Sequence, residues 1–333
     1  MPLIKLNKNN FFNNLDIIAK KTKTKDKIAL VLKDNAYGHG LLEVASMAKE
    51  YGITKAVVRT YDEAKSVEDF FEYILILADT PKEKNDRFLY TINDLNHIKD
   101  FPSGTRVELK VDTLMHRNGV MLEEIKESLS IIKKQGLHLE AIFTHHRSAD
   151  ELTSEWYVQN ETFQKVKQKV EELGLKNIRF HSANSASLVR TQDFNEDMVR
   201  VGIAAYGCLE SHVYDAKEFK PVLSLLASQN SVRTLNKGAR VGYSANYTLG
   251  CDAKVSNYDI GYADGFFRCL SSNYTTPQGF AQVGNISMDN ASFLCDAKEL
   301  LIFDDAKKIA RDANTLAYEI LTSLKASIKR EVL

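Results

Sequence analysis

The sequence has few cysteines and no excess of either charge, and both features exclude classes of protein. Its 333 residues include four cysteines, and lysine plus arginine and aspartate plus glutamate both number 44. A chain without net charge has no general attraction for nucleic acid or for an anionic membrane. The wide spacing of the cysteines favours neither a disulfide framework nor a metal site, so we expect reduced, structural cysteines and no metal. They are Cys208, Cys251, Cys269 and Cys295.

A long hydrophobic run is also absent from the beginning of the chain. The first residues, MPLIKLNKNNFF, alternate briefly and lack the apolar core of a secretory signal or a membrane span. We therefore expect a cytoplasmic protein without a membrane partner. Because the chain has no net charge, the partners that we expect are a small molecule or another copy of itself.

The hydrophobic content and the alternation of strand-like and helix-like segments predict a large α/β domain in the first part of the chain. With 44% hydrophobic residues, the chain is long enough for one barrel and a smaller domain. Short apolar runs alternate with helical patterns over residues 26–205, and eight such units favour a closed (β/α)8 TIM-type barrel, which we assign to residues 1–217. The candidate strands are Ile28–Leu32, Ala56–Val58, Tyr73–Leu77, Arg87–Thr91, Arg106–Val111, Leu139–Phe143, Asn177–Phe180 and Asp197–Arg200.

The pattern changes after Pro221, where short apolar runs are separated by Gly, Asn, Ser and Asp. This predicts a smaller, mainly-β domain over residues 218–333, with which the first few residues of the chain are candidates to pair. One expected strand is 239–247, and a late helix is expected over 314–324 with Asn314 as its N-cap.

One lysine stands out because of where it lies. The segment from Ala29 to Gly40 reads ALVLKDNAYGHG, so a buried strand delivers Lys33 into a turn before a helix. A desolvated amine at such a position can form a Schiff base with an aldehyde. Taken alone, a surface lysine without a chemical role is the commoner explanation.

Other polar residues follow the predicted strands and should meet Lys33 at one mouth of the barrel, where catalytic groups in this fold lie. Gly202 and Ile203 follow the eighth strand, where backbone N–H groups commonly bind a phosphate. Ser185 is equally placed to cap a helix, and an isolated arginine such as Arg200 is more often a salt-bridge partner. The strand-end residues are Lys33, Lys110, His145, Asn184, Ser185 and Arg200.

These segments, in this order, resemble the alanine racemase family. The resemblance implies that Lys33 binds pyridoxal 5'-phosphate covalently and that Tyr37 contacts its phosphate. It also implies that Lys110, often carbamylated, orients Arg117, which contacts the substrate carboxylate. The family usually has glycine where this chain has Leu114.

The resemblance extends to the segments around residues 145, 184 and 200. It places His145 against the cofactor ring, Arg200 at the ring nitrogen, and Asn184, Ser185, Gly202, Ile203 and Tyr318 among the cofactor-binding residues. An arginine can only donate, so a pyridine nitrogen facing Arg200 must stay an unprotonated acceptor. The family's usual aromatic and small residues after the histidine are replaced here by His146 and Arg147.

Racemisation needs acid/base groups on both faces of Cα, and Lys33 serves one face only. The resemblance implies that Tyr243 serves the other face and comes from the second subunit of a homodimer. It adds Tyr262, Met288 and Asp289 to the shared, substrate-binding part of the site. A catalytic role for a tyrosine with an ordinary pKa near 10 requires an environment that lowers it.

The expected function is thus that of an isomerase, which interconverts L- and D-alanine and supplies D-alanine for peptidoglycan. A racemase of broader or different specificity, and a fold-related decarboxylase that also uses pyridoxal phosphate, are the alternatives. Arg200 argues against the decarboxylase, because that reaction benefits from an acidic partner at the ring nitrogen. A carrier of the cofactor would not need Tyr243, Met288 or Asp289, and a purely structural barrel would not need the strand-end cluster.

Overall fold

The protein, described over residues 1–333 by a computed structural model, is built from a parallel barrel and a separate, mainly-β domain. Strand β1 (Leu3–Leu6) and helix α1 (Lys8–Thr22) precede the barrel. Eight parallel strands then follow in the spatial order β8-β7-β6-β5-β4-β3-β2-β9, which confirms the predicted fold class. They are β2 (Ile28–Val31), β3 (Lys55–Val58), β4 (Tyr73–Ile76), β5 (Phe88–Ile92), β6 (Arg106–Lys110), β7 (His138–Phe143), β8 (Arg179–His181) and β9 (Val199–Val201).

The first four barrel strands are nearly continuous apolar runs because both of their faces are covered. All four residues of β2 are buried, as are all four of β4 and all five of β5. Strand β9 pairs with β2, and a parallel bridge between Asn184 and Arg200 connects it to the end of β8. This closure brings the ends of the first, seventh and eighth barrel strands together.

Seven helices lie in the barrel portion and two in the second domain. None of the nine has the length and hydrophobicity required to cross a membrane. Helix α4 has a capping box, in which Thr60 and Glu63 satisfy each other's backbone N–H groups. After α1, the helices are α2 (Lys33–Tyr37), α3 (Leu41–Tyr51), α4 (Tyr61–Val67), α5 (Ile125–Lys134), α6 (Glu155–Glu172), α7 (Ser185–Arg190), α8 (Ala306–Asp312) and α9 (Ala317–Thr322).

The second domain is a seven-stranded sheet into which both ends of the chain are built. Strand β1 pairs antiparallel with β10 and parallel with β17, so residues 3–6 lie between two strands of the C-terminal domain. The sheet has the order β14-β15-β13-β10-β1-β17, and β16 pairs with β10. The strands of this part are β10 (Leu223–Leu235), β11 (Arg240–Val241), β12 (Tyr247–Thr248), β13 (Ala253–Tyr258), β14 (Gln282–Val283), β15 (Ala291–Phe293), β16 (Glu299–Phe303) and β17 (Lys329–Val332).

Three local expectations are wrong. Residues 239–247 do not form one strand, because β11 and β12 are separated by a 3-10 turn at Tyr243–Ala245 that contains Ser244 at φ +61°. Asn314 is not the N-cap of the last helix: it has φ +53°, and α9 begins three residues later, at Ala317. Cys251 and Cys269 are exposed, so only the two buried cysteines contribute to packing.

Candidate active site

Lys33 begins a left-handed turn directly after the first barrel strand. Asp34, Asn35, Ala36 and Tyr37 all have φ between +49° and +56°. Successive non-glycine residues in this region are strained, and such strain persists only where the surroundings fix the backbone. The turn therefore requires contacts that hold it.

Side chains of the turn itself and of its neighbours supply those contacts. Glu63 Oε1 accepts a hydrogen bond from the Asp34 N–H at 2.7 Å, and Asn35 Oδ1 accepts one from Leu41 N–H at 2.8 Å. His39 donates from Nδ1 to the carbonyl oxygens at the end of the turn, 2.9 and 3.1 Å away. Burial lowers the pKa of His39 to about 4, so at neutral pH its ring is uncharged. Lys33 and Tyr37 are thus fixed relative to the barrel.

A cavity of about 570 Å³ opens at the carboxyl ends of the barrel strands. It is lined by the predicted residues of the barrel domain and by Tyr318 of the second domain. Lys33 Nζ lies 3.8 Å from the Asp34 carboxylate in its wall. His146 and Arg147 also line this cavity. The predicted residues brought together are Lys33, Tyr37, Lys110, Arg117, His145, Asn184, Ser185, Arg200, Gly202, Ile203 and Tyr318.

Arg200 is a buried cation whose outer nitrogens are already occupied. Nη1 donates to His181 Nδ1 at 2.5 Å, and Nη2 donates to the Thr144 carbonyl at 2.6 Å. Its Nε has no partner within the protein, while the residue lines the cavity. Burial lowers the pKa of Arg200 to about 10, so the guanidinium stays charged at neutral pH. One N–H donor is therefore left for an acceptor in the cavity.

A second layer of buried residues behind Arg200 was missed by sequence reasoning. Because His181 Nδ1 accepts from Arg200, its Nε2 carries the proton and donates to Glu108 at 2.9 Å. Glu108 also accepts from Arg179 at 3.1 Å and from the Tyr73 hydroxyl. The one signal for this network was an acidic residue, Glu108, between two apolar residues of strand β6.

Hydroxyl and amide donors converge on another part of the cavity. Ser185 Oγ accepts from the Gly202 N–H at 3.1 Å, and the Ile203 N–H has no partner in the protein. A Cβ at Gly202 would lie 2.9 Å from the Tyr37 ring, so only glycine allows this approach. The rings of Tyr37 and Tyr318 are 5.6 Å apart, and neither hydroxyl has a partner. Burial raises the pKa of both phenols, which keeps them protonated as donors.

Asn184 lines the same wall but uses its side chain within the protein. Its Oδ1 accepts from the backbone N–H and the hydroxyl of Ser187, and its Nδ2 donates to the His146 carbonyl at 3.2 Å. The asparagine thereby caps α7 and fixes the segment that carries Ser185.

Burial and neighbouring positive charges lower the pKa values of two further basic groups in the cavity, Lys110 and His145. Burial, and then the neighbouring charges of Arg117 and Arg200, lower the pKa of Lys110 to about 8. Burial and Arg200 place the pKa of His145 well below its usual range, so its imidazole is neutral. Arg117 faces the cavity without a hydrogen-bond or ion-pair partner in the chain.

These donors fit pyridoxal phosphate. The cofactor has an aldehyde for an amine, a ring nitrogen that accepts a hydrogen bond, and a dianionic phosphate. The cavity presents the Lys33 amine, the free Nε–H of Arg200, and a group of unpartnered hydroxyl and amide donors around Gly202.

Apart from Tyr318, the predicted residues of the second domain do not line this cavity. Tyr243, Tyr262 and Met288 are 67%, 41% and 54% exposed. Three loops hold them near one another: the N–H of Ala263 donates to the Met288 carbonyl at 3.0 Å, and Asn285 Nδ2 donates to the Tyr243 carbonyl, also at 3.0 Å. Asp289 follows Met288 on the same exposed loop. Within one chain, the cavity and this exposed cluster are separate.

Comparison with known proteins gives one consistent result over both domains. Residues 6–210 match the family described as "Alanine racemase, N-terminal domain", and residues 222–332 match "Alanine racemase, C-terminal domain". An alanine racemase of a Nitratiruptor species is 46% identical over 335 residues, which cover 99% of each chain.

Solved structures show the same similarity. The alanine racemase of Clostridium difficile 630 is 26% identical, with a TM-score of 0.91 over 100% of this chain and 95% of that chain. The alanine racemase of Bartonella henselae with covalently bound pyridoxal phosphate is 24% identical, and it shares the fold with a TM-score of 0.85 over 100% of this chain and 99% of that chain.

Proposed function

The chain belongs to the alanine racemase family, and we propose which of its residues perform the reaction. As a member of this family it is an isomerase that depends on pyridoxal phosphate and interconverts L- and D-alanine. The observation that carries the residue assignment is the single cavity that holds Lys33, Arg200 and the donors around Gly202.

Lys33 anchors the cofactor and moves a proton on one face of Cα. Pyridoxal phosphate, when bound, supplies an electron-withdrawing ring that acidifies the Cα–H bond of the amino acid. The left-handed turn fixes the direction from which the Lys33 amine approaches. Because Arg200 remains charged at neutral pH and can only donate, it keeps the ring nitrogen unprotonated. The phosphate would be held by residues that line the same cavity, and His145 would lie against the ring: the phosphate residues are Tyr37, Ser185, Gly202, Ile203 and Tyr318.

Arg117 binds the carboxylate of the substrate. It is a cation that lines the cavity without a partner in the chain, as an arginine kept for an anionic ligand should be. Lys110, whose pKa is lowered to about 8, holds an appreciable fraction of unprotonated amine at neutral pH, the form that reacts with carbon dioxide. A carbamate on Lys110 would be an anion beside Arg117, and a carbamate resonance in a ¹³C spectrum recorded with labelled bicarbonate tests this.

Tyr243 supplies the proton on the opposite face and comes from a second subunit. One chain offers a cavity in which Lys33 is the proposed base and, elsewhere, an exposed cluster of Tyr243, Tyr262, Met288 and Asp289. A symmetric dimer that brings the cluster of each chain to the cavity of the other completes both sites. We divide the chain for this purpose into residues 1–217, which carry the cofactor lysine, and residues 218–333, which supply the second acid/base group to the partner subunit.

His146 and Arg147 are not free to select a larger substrate. His146 Nδ1 is bonded to the Ser187 hydroxyl at 2.7 Å, and the Arg147 guanidinium donates to the Leu114 carbonyl at 2.5 Å. This favours a small substrate, alanine, over a broader range. We propose further that the enzyme works in the cytoplasm and supplies D-alanine for peptidoglycan.

Mixed dimers test the shared site. Lys33→Ala and Tyr243→Phe should each abolish racemisation. If the two residues of one site come from different chains, dimers that exchange subunits contain one intact site, so an equal mixture recovers about a quarter of the wild-type activity. If both come from one chain, no mixed dimer has an intact site, and the absence of recovery after verified subunit exchange would contradict the proposal.

A further inference from the structure

The loop of residues 112–117, which ends in Arg117, contains a leucine in a conformation suited to glycine. Leu114 has φ +97° and His116 has φ +51°. Asp112 Oδ1 accepts from the backbone N–H groups of both residues at 3.0 Å, which fixes the peptide before Leu114. A leucine at positive φ is strained, so a contact that fixes the peptide after Leu114 is needed as well.

Arg147 supplies that hold. Its Nη1 donates to the Leu114 carbonyl at 2.5 Å, while its Nη2 is paired with the Glu155 carboxylate in the first turn of α6. The guanidinium fork makes both contacts at once because its donors are coplanar and rigidly spaced. One side chain thus connects helix α6 to the strained residue of the 112–117 loop.

The buried Gln159 connects both Arg147 and the 112–117 loop to the segment that follows β7. Gln159 Oε1 accepts from the Arg147 N–H at 2.9 Å, and its Nε2 lies 3.3 Å from Thr113 Oγ1 and 3.2 Å from the His145 carbonyl. The Thr113 hydroxyl is in turn 2.7 Å from the hydroxyl of Thr144. The loop is therefore held at Thr113 by Gln159 and Thr144, and at Leu114 by Arg147.

Arg117 has no such contacts of its own. No side chain or backbone group of the protein hydrogen-bonds its guanidinium, so the course of the loop decides where this cation enters the cavity. We propose that Arg147 is a positioning residue: by holding the strained Leu114, it sets the place of Arg117 and thereby the affinity for the substrate carboxylate. This inference rests on the proposed role of Arg117.

Six variants of the cofactor-loaded protein test it. Leu114→Gly, Arg147→Ala and their double variant form one cycle, and Glu155→Gln perturbs the other end of the Arg147 contact. Arg190→Ala is the control, made with leucine and with glycine at position 114. Arg190 donates to the carbonyls of Ser148, Ala149 and Glu151, close to Arg147, and does not contact the 112–117 loop. The probe is propionate, which has the carboxylate and methyl group of alanine but no amine, with its Kd measured by calorimetry. KM and kcat for L-alanine and the melting temperature are recorded for the same samples.

Arg147→Ala should weaken propionate binding on the order of tenfold and raise KM by a similar factor, with kcat much less affected. Leu114→Gly removes the strain, so in that background the loss of Arg147 should cost less than about threefold. The Arg190→Ala control should have the same effect in both backgrounds. Glu155→Gln, which frees one end of the guanidinium, should change propionate binding in the same direction as Arg147→Ala.

An unchanged propionate Kd in Arg147→Ala would overturn the proposal, as would an equal loss with leucine and with glycine at position 114. The calorimetric readout also separates this proposal from the function. A protein that fails to racemise alanine but shows the propionate pattern refutes the function alone.

Discussion

Replacing Glu108 by glutamine should destabilise the barrel far more than the same change at its neighbour Glu140. Glu108 is fully buried, and its two oxygens accept from Tyr73, Arg179 and His181. A glutamine has one acceptor oxygen, so in either orientation its NH2 group faces at least one donor. An orphaned buried donor costs about 1–3 kcal/mol, and loss of a buried ion-pair partner costs about 3–5 kcal/mol.

Arg179 keeps its contact with Glu140 at 3.2 Å, so we take about 3 kcal/mol for Glu108→Gln. With an unfolding entropy of about 2.1 cal/mol/K per residue, this corresponds to a decrease in melting temperature of about 4 °C. Glu140→Gln is the control, because Glu140 also pairs with Arg179 but its side chain is 27% exposed. Its loss should cost less than about 1 kcal/mol.

Scanning calorimetry at neutral pH measures both variants, and equal decreases, or a larger one for Glu140→Gln, would refute this reasoning. The pH dependence gives an internal check. Burial opposes ionisation of Glu108, but His181 and Arg179 outweigh it and lower its pKa. A lowered carboxyl pKa contributes stability above the unfolded value of about 4.3, and this contribution is lost as the pH falls through the folded value. The difference between wild type and Glu108→Gln should therefore persist at neutral pH and shrink below about pH 4.

Two further predictions concern Lys33 and His146. In Lys33→Ala, borohydride treatment of the cofactor-loaded protein should no longer attach a pyridoxyl group, as read by peptide mass spectrometry; a labelled peptide elsewhere would show that another lysine holds the cofactor. Burial lowers the pKa of His146 to about 4, whereas a histidine in the unfolded chain has a pKa of about 6.5. As the pH falls, the unfolded state therefore takes up this proton first, and the free energy of unfolding of the wild type should decrease by up to roughly 3 kcal/mol over that interval. In His146→Phe, the midpoint of urea unfolding should depend less on pH in that range. An unchanged pH dependence would contradict the lowered pKa of His146.

The barrel was predictable because its strands are short runs at regular intervals, and the first four are almost entirely apolar. Strand β2, with Ile28 and Val31 buried at its ends, is separated from the next by a helix-forming segment. The second domain was harder to predict, because strands such as β11 and β14 have two residues each and carry no periodicity. Strand β17 is partly exposed along its length, and it forms only because β1 lies beside it.

The cavity residues were predictable as a set because polar groups at the ends of parallel strands meet at one mouth. The supporting contacts were not. The left-handed turn after Lys33 contains no glycine before Gly38. Asp34 and Asn35 tolerate positive φ, but Ala36 and Tyr37 give no such signal. Glu108 and His181 are 73 residues apart in the chain, as their pairing shows, and Arg147 meets Leu114 across 33 residues. Such pairs depend on the register of neighbouring strands, which a single sequence does not contain.

The production of D-alanine from L-alanine by the purified, cofactor-loaded protein tests the central claim most directly. D-Alanine should accumulate until the two enantiomers are equal, and Lys33→Ala should abolish this. No D-alanine from a protein shown to be dimeric and to hold pyridoxal phosphate would contradict it.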